Sequence, residues 1–68
     1  MKTIKVVELM TSSEKSWEDA AQQSVNEASK TIKNIRSVYI QDHSAVVQNN
    51  KISEYRITAK ISFEVDHK

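Results

Sequence analysis

The fold turns on residues 54–65, Glu54-Tyr55-Arg56-Ile57-Thr58-Ala59-Lys60-Ile61-Ser62-Phe63-Glu64-Val65. Tyr55, Ile57, Ala59, Ile61, Phe63 and Val65 alternate with charged or hydroxylic residues. Strict alternation of this kind marks a strand with one apolar and one polar face. The reading extends back to Ile52, giving a strand from Ile52 to Val65. Just upstream, Asn49-Asn50 predicts a hairpin tip, because Asn accepts the left-handed conformations that a tight turn requires. The strand that enters this turn reads from Ile35 to about Gln48, with a less regular pattern.

A helix precedes that hairpin. Ser16 is a good N-cap, and Asp19 stands three residues on, where it can reach back in a capping-box arrangement. Glu18 and Asp19 also place negative charge in the first turn, where the helix dipole favours it. Trp17, Ala20, Ala21, Val25, Ala28, Ile32 and Ile35 recur at helical spacing and predict one apolar stripe, with the helix running from Trp17 to Asn34. The stripe is rich in Ala, so the helix can lie close to a sheet, while Gln22, Gln23, Asn26, Lys30 and Lys33 face solvent. The first strand reads from Thr3 to Met10, with apolar residues on both faces, and Thr11-Ser12-Ser13-Glu14-Lys15 is expected to end it. The order is β-α-β-β, an α+β fold with one helix on a three-stranded antiparallel sheet. Residues 1–68 are read as a single domain.

A chain of 68 residues buries only roughly 60% of the surface its unfolded form exposes, so its own core is marginal. Cysteine is absent, which excludes disulfides and thiolate metal sites. His43 and His67 lack metal-ligand spacing. Partner chains remain as the source of stability. Lengths point the same way: the last strand spans roughly 45 Å, the helix only about 27 Å. One helix cannot cover such a strand, and an uncovered apolar patch marks an interface.

Ten basic and nine acidic residues are interspersed for a net charge of +1, which leaves no basic footprint for nucleic acid. No run approaches the roughly 20 apolar residues that span a bilayer. Charges interrupt the N-terminal residues, so no signal peptide is visible and a cytoplasmic protein is expected. There is no Gly-rich phosphate loop and no nucleophile, histidine and carboxylate at a recognisable spacing, which argues against an enzyme.

Four stretches together resemble the dodecins. They are Val7-Glu8-Leu9, Ser16-Trp17-Glu18-Asp19-Ala20, Ala28-Ser29-Lys30-Thr31-Ile32-Lys33-Asn34-Ile35-Arg36, and Glu54-Tyr55-Arg56-Ile57 with Lys60-Ile61-Ser62-Phe63. The resemblance covers almost the whole chain and needs no gap from the helix onwards. It implies a hollow homododecamer of cubic symmetry that binds flavins such as riboflavin or FMN. Dodecins stack flavins in pairs and quench their photochemistry, which suits storage or sequestration rather than turnover.

The flavin site implied by the resemblance is altered here. Ser37 stands where the family has a Trp that stacks on the isoalloxazine, and Ser44-Ala45 replaces an Arg-Gly pair. Arg56 replaces the Gln that bonds the flavin edge, and Thr11 and Ser62 stand at expected glycines. Stacking on an aromatic ring is worth about 1–3 kcal/mol in nucleic-acid systems, so Ser37 implies binding weaker by roughly ten- to a hundredfold. Arg offers donors only, where Gln offers a donor and an acceptor. Tyr39, two residues beyond Ser37 and on the same face, can supply a displaced aromatic surface. Arg56 can pair with an anionic group such as a phosphate. The candidate cofactor-binding residues are therefore Ser37, Tyr39, Ser44 and Arg56. The alternative is a dodecameric scaffold that has lost flavin and binds a phosphate-bearing cofactor or a metal ion.

Plainer roles stand beside these. Trp17 reads as a core or interface anchor, and Tyr55 and Phe63 as packing residues. Arg56 also suits an inter-subunit ion pair with Glu54 or Glu64. His43 shares the face of Ser37 and Tyr39 if no bulge intervenes. Glu8, Glu14, Glu18, Asp19 and Asp42 are dispersed and read as solvated charge, although symmetry axes of an oligomer can gather copies of one of them.

Overall fold

The computed structural model describes residues 2–65, so His67 lies outside the described residues. Strand β1 (Ile4–Ser13), helix α1 (Trp17–Ser29), strand β2 (Ile35–Gln48) and strand β3 (Lys51–Glu64) follow in that order. The sheet is antiparallel with order β1-β3-β2, which puts the strand with the cleanest alternation at the centre.

β3 separates its two faces cleanly. Ile57, Ala59 and Ile61 are 2%, 0% and 0% exposed beneath α1. Ala20, Ser24 and Ala28, four residues apart on α1, are the buried helix positions. Small side chains at this spacing form a flat stripe that lets the helix axis approach the sheet. Ser24 belongs to this stripe although the apolar pattern passes over it, because its hydroxyl donates to the Ala21 carbonyl at 2.7 Å and needs no outside partner.

The N-terminus of α1 forms as expected in one half. Ser16 is extended at φ −170°, and its Oγ accepts from the Asp19 amide at 2.9 Å. The Asp19 carboxylate does not close a capping box. It accepts a hydrogen bond from Ser13 Oγ at 2.6 Å, while Ser13 Oγ accepts from the Lys15 amide at 2.9 Å. This knot ties the end of β1 to the start of α1. It also accounts for β1 running to Ser13 rather than stopping at Met10, since Thr11, Ser12 and Ser13 pair with Ile57, Arg56 and Tyr55.

The helix ends at Ser29, earlier than Asn34. Its last turn tightens, with Lys30 and Thr31 amides donating to the Glu27 and Ala28 carbonyls, three residues back, at 3.2 Å each. The β-branched pair Thr31-Ile32 favours this exit. Asn34 takes the left-handed conformation at φ 64° and its carbonyl accepts from the Glu64 amide at 3.0 Å, turning the chain into β2. Asn49 and Asn50 are left-handed at φ 53° and 64°, which is the geometry of a two-residue hairpin whose twist matches its strands.

The helix of 13 residues covers about 20 Å, whereas the molecule is 54 Å long and only 13 Å thick. Its radius of gyration is 14.0 Å, against about 11 Å for a compact chain of this size. Exposed surface is 5277 Å², where a compact monomer of this mass shows about 4,400 Å². The excess of about 900 Å² matches the roughly 800 Å² that one partner contributes to a standard interface.

Candidate functional site

The cross-strand pairs assign every residue of the sheet face opposite α1. Ser37 faces Ser62, Tyr39 faces Lys60, Asp42 faces Thr58 and Ser44 faces Arg56 across β2 and β3. On the other side Val6 faces Ser62, Glu8 faces Lys60, Met10 faces Thr58 and Ser12 faces Arg56. Ser37, Tyr39, Ser44 and Arg56 thus share one face, and all four are exposed. Val6, Met10 and Tyr39 on this face are 57%, 74% and 64% exposed.

Within that face the four candidates divide into two ends. The Ser37 hydroxyl is hydrogen-bonded to Ser62, so it presents a small, engaged polar group. Tyr39 lies beside it with its ring open to solvent. Arg56 and Ser44 lie further along, four β3 residues from the Tyr39 row, a separation of about 13 Å. A groove of about 300 Å³ runs past Arg56, lined by Met10, Thr11, Ser12, Arg56 and Ile57. Tyr39 is not part of it in the single chain. Sequence reasoning passed over Met10 and Ser12, because their nearness to Arg56 depends on the β1–β3 register.

Register shifts between Ile35 and Ser37 and between Ile40 and Asp42 decide the rest of β2. A bulge puts two residues of one strand opposite one residue of its partner and so reverses the alternation. His43 consequently leaves the face of Ser37 and Tyr39. It sits opposite Ile57 on the helix side, edge-on to Trp17 with ring centroids 5.8 Å apart. Trp17 is the anchor expected of it. Its ring meets Tyr55 edge-to-face at 4.8 Å, and its Nε1 donates to the Ser44 carbonyl at 2.9 Å. Such edge-to-face pairs add about 0.5–1.5 kcal/mol beyond the area they bury.

Charges on the sheet are arranged differently from the simplest pairing. Glu64 accepts from Arg36 Nε at 2.9 Å and lies 4.0 Å from Lys2 Nζ. The hydrogen bond from Arg36 holds its carboxyl below the ordinary range, partial shielding from water opposes this, and the charges of Arg36 and Lys2 add to it. Glu64 is therefore engaged within the chain, eight residues along β3 from Arg56. Among the described residues Arg56 forms no ion pair, and no group of three or more His, Asp or Glu side chains is placed to hold a metal ion. No described helix is long and apolar enough to cross a membrane.

A thin antiparallel sheet covered on one side by a single helix, with Val6, Met10 and Tyr39 exposed among polar residues on the other, marks the chain as a small α+β protein. The chain belongs to the dodecin family: the family model described as Dodecin matches residues 3–66. The calcium dodecin of Mycobacterium tuberculosis, a calcium-chelating antigen with a calcium-binding site, is 31% identical, with 94% of this chain and 91% of that chain covered and a TM-score of 0.80. An arginine-to-alanine variant of the Thermus thermophilus dodecin is 24% identical with full coverage of both chains and a TM-score of 0.94. The dodecin of Streptomyces coelicolor is 16% identical, with 98% and 96% covered and a TM-score of 0.92. These last two share the fold. No curated protein matches the sequence.

Proposed function

We propose that this chain is a non-enzymatic, single-domain, self-assembling shell, a cytoplasmic homododecamer that holds a flavin, riboflavin or FMN, for storage or sequestration. The observation that carries the reading is the open face of the sheet. Val6, Met10 and Tyr39 stand exposed there on a fold matched to the dodecin family from residue 3 to 66. A flavin ring lies against Tyr39 in this reading, since the Ser37 hydroxyl is taken up by Ser62 and offers no stacking surface. Flavin binding is weaker than with a Trp at that position, by roughly ten- to a hundredfold.

Titration of riboflavin and FMN with the assembled protein, followed by the loss of flavin fluorescence, tests this. Saturable quenching at micromolar protein, reduced in Tyr39→Ala, is the expected result. Unquenched flavin at tens of micromolar protein overturns it. A second reading, a shell for a phosphate-bearing ligand with flavin binding lost, is favoured by Arg56, an exposed cation without a partner among the described residues. A metal-ion version needs copies of one carboxylate to converge at a symmetry axis. Calcium titration of the assembled protein tests that version separately.

A further inference from the structure

The bulge between Ile40 and Asp42 has an effect on the helix side of the sheet. Ile40 lies opposite Ala59 and His43 opposite Ile57, so both side chains rise toward α1. Trp17 and Ala21, one helical turn apart, come down to meet them. Between these elements lies a cavity of about 230 Å³, lined by Trp17, Glu18, Ala21, Ile40, His43 and Ile57. Ala21 adds only a methyl group to its roof, which leaves the space open. Glu18 and His43 are exposed, so the cavity can be entered between them.

Its floor is apolar and fixed. Ile57 is buried, and Trp17, Ala21 and Ile40 pack against the core around it. The Trp17 and His43 rings, 5.8 Å apart with planes at 83°, make a corner of two aromatic walls. A planar ring in that corner can stack on one wall and meet the other edge-on, the two arrangements that aromatic pairs prefer. The corner is in place before any ligand arrives, because Trp17 Nε1 donates to the Ser44 carbonyl at 2.9 Å and its ring abuts Tyr55 at 4.8 Å. Such preorganisation lowers the entropy lost on binding. At the rim stands Glu18, which forms no ion pair among the described residues, and no Lys or Arg lines the cavity. A cation there is attracted by the carboxylate and by the aromatic faces. The positive end of the helix dipole, roughly half a charge, is outweighed by the full charge of Glu18.

We infer that this cavity binds a small planar aromatic cation, an aryl ring carrying an amidinium or ammonium group. The ring lies in the corner of Trp17 and His43, and its cationic group meets the Glu18 carboxylate. The volume sets the size. A cavity of about 150 Å³ takes benzene, so 230 Å³ suits one such ring with a polar substituent. The site is on the opposite face of the sheet from Ser37, Tyr39, Ser44 and Arg56 and does not depend on the flavin reading.

Benzamidine, benzamide and benzoate test it, since they place a cationic, a neutral or an anionic group on one ring. Trp17 is the only tryptophan, so its indole N–H resonance reports on this cavity alone. In the assembled protein benzamidine is expected to shift that resonance saturably. It should bind about tenfold more tightly than benzamide, the scale of one charge-assisted hydrogen bond, with benzoate weakest. Glu18→Gln should bring the ratio of benzamidine to benzamide affinity close to one, and Ala21→Leu should abolish both by filling the space. Should Ala21→Leu fail to assemble, His43→Ala removes one wall instead and should weaken both probes. Unchanged affinities in His43→Ala would overturn the corner, and equal binding of all three probes would overturn the cation preference. A Trp17 signal unmoved by millimolar benzamidine would overturn the site. Displacement of benzamidine by riboflavin would overturn its separation from the open face.

Discussion

The two faces of β3 belong to the same fourteen residues yet meet opposite fates. On one, Ile57, Ala59 and Ile61 are sealed by α1, with Ala20 at 0% exposure against them. On the other, Arg56, Thr58, Lys60 and Ser62 lie between strands that carry Val6, Met10 and Tyr39 into solvent. The middle of the first face is covered within the chain, by α1, while Tyr55 and Phe63 at its ends stay half-buried. The second is built as though something else will cover it, and the surplus surface equals about one partner's share of an interface. In the proposed assembly such a face would be covered by other copies, which would supply what a domain of this size cannot bury for itself.

The largest expected effect comes from breaking the outer face. Val6→Lys combined with Met10→Lys should reduce the sedimenting species to single chains or small oligomers. An assembly of unchanged mass would show that this face is ordinary surface. Breaking the inner face is the next largest effect. Ile57→Ala removes a side chain that is 2% exposed and should cost about 2–5 kcal/mol in denaturant unfolding. A loss well below that would mean α1 settles into the gap and the inner core is looser than its burial implies.

The smallest effect concerns the edge of the sheet, at Glu64. A carboxyl whose folded pKa lies below its unfolded value stabilises the fold above the ordinary carboxylate range and loses that contribution as pH falls through the folded value. Glu64→Gln should therefore flatten the acid side of the stability–pH profile while changing stability little once the pH is below the folded pKa of this carboxyl. Because Arg36 and Lys2 are mostly exposed, the change should be small and should shrink with added salt. An acid limb identical in the variant would remove the Arg36–Glu64 contact from the stability of this end.

The candidate site was legible in part. Ser37, Ser44 and Arg56 are singled out by the resemblance to the dodecins and Tyr39 by its two-residue spacing from Ser37, and the structure places all four on one face. Ser12 and Met10 were passed over because Thr11-Ser12-Ser13 looks like a polar break. It becomes strand only through pairing with Ile57, Arg56 and Tyr55 and through the contact of Ser13 with Asp19. His43 shares the outer face only if no bulge intervenes, and the bulge between Ile40 and Asp42, which leaves no mark in a residue pattern, puts it on the helix side.

Local rules were enough for everything that depends on neighbours in sequence. The alternation from Tyr55 to Val65, the Ser16 cap and the Asn49-Asn50 turn follow from backbone sterics and period, which operate over a few residues. Helix length, the reach of β1, the side on which His43 lies and the Ser12-Arg56-Ser44 row depend on contacts between residues far apart in the chain. Those contacts arise from register and bulges, and a one-residue shift moves a side chain to the opposite face. The sequence by itself determined which face of β3 is apolar, and only the tertiary structure decided which residues meet across the other.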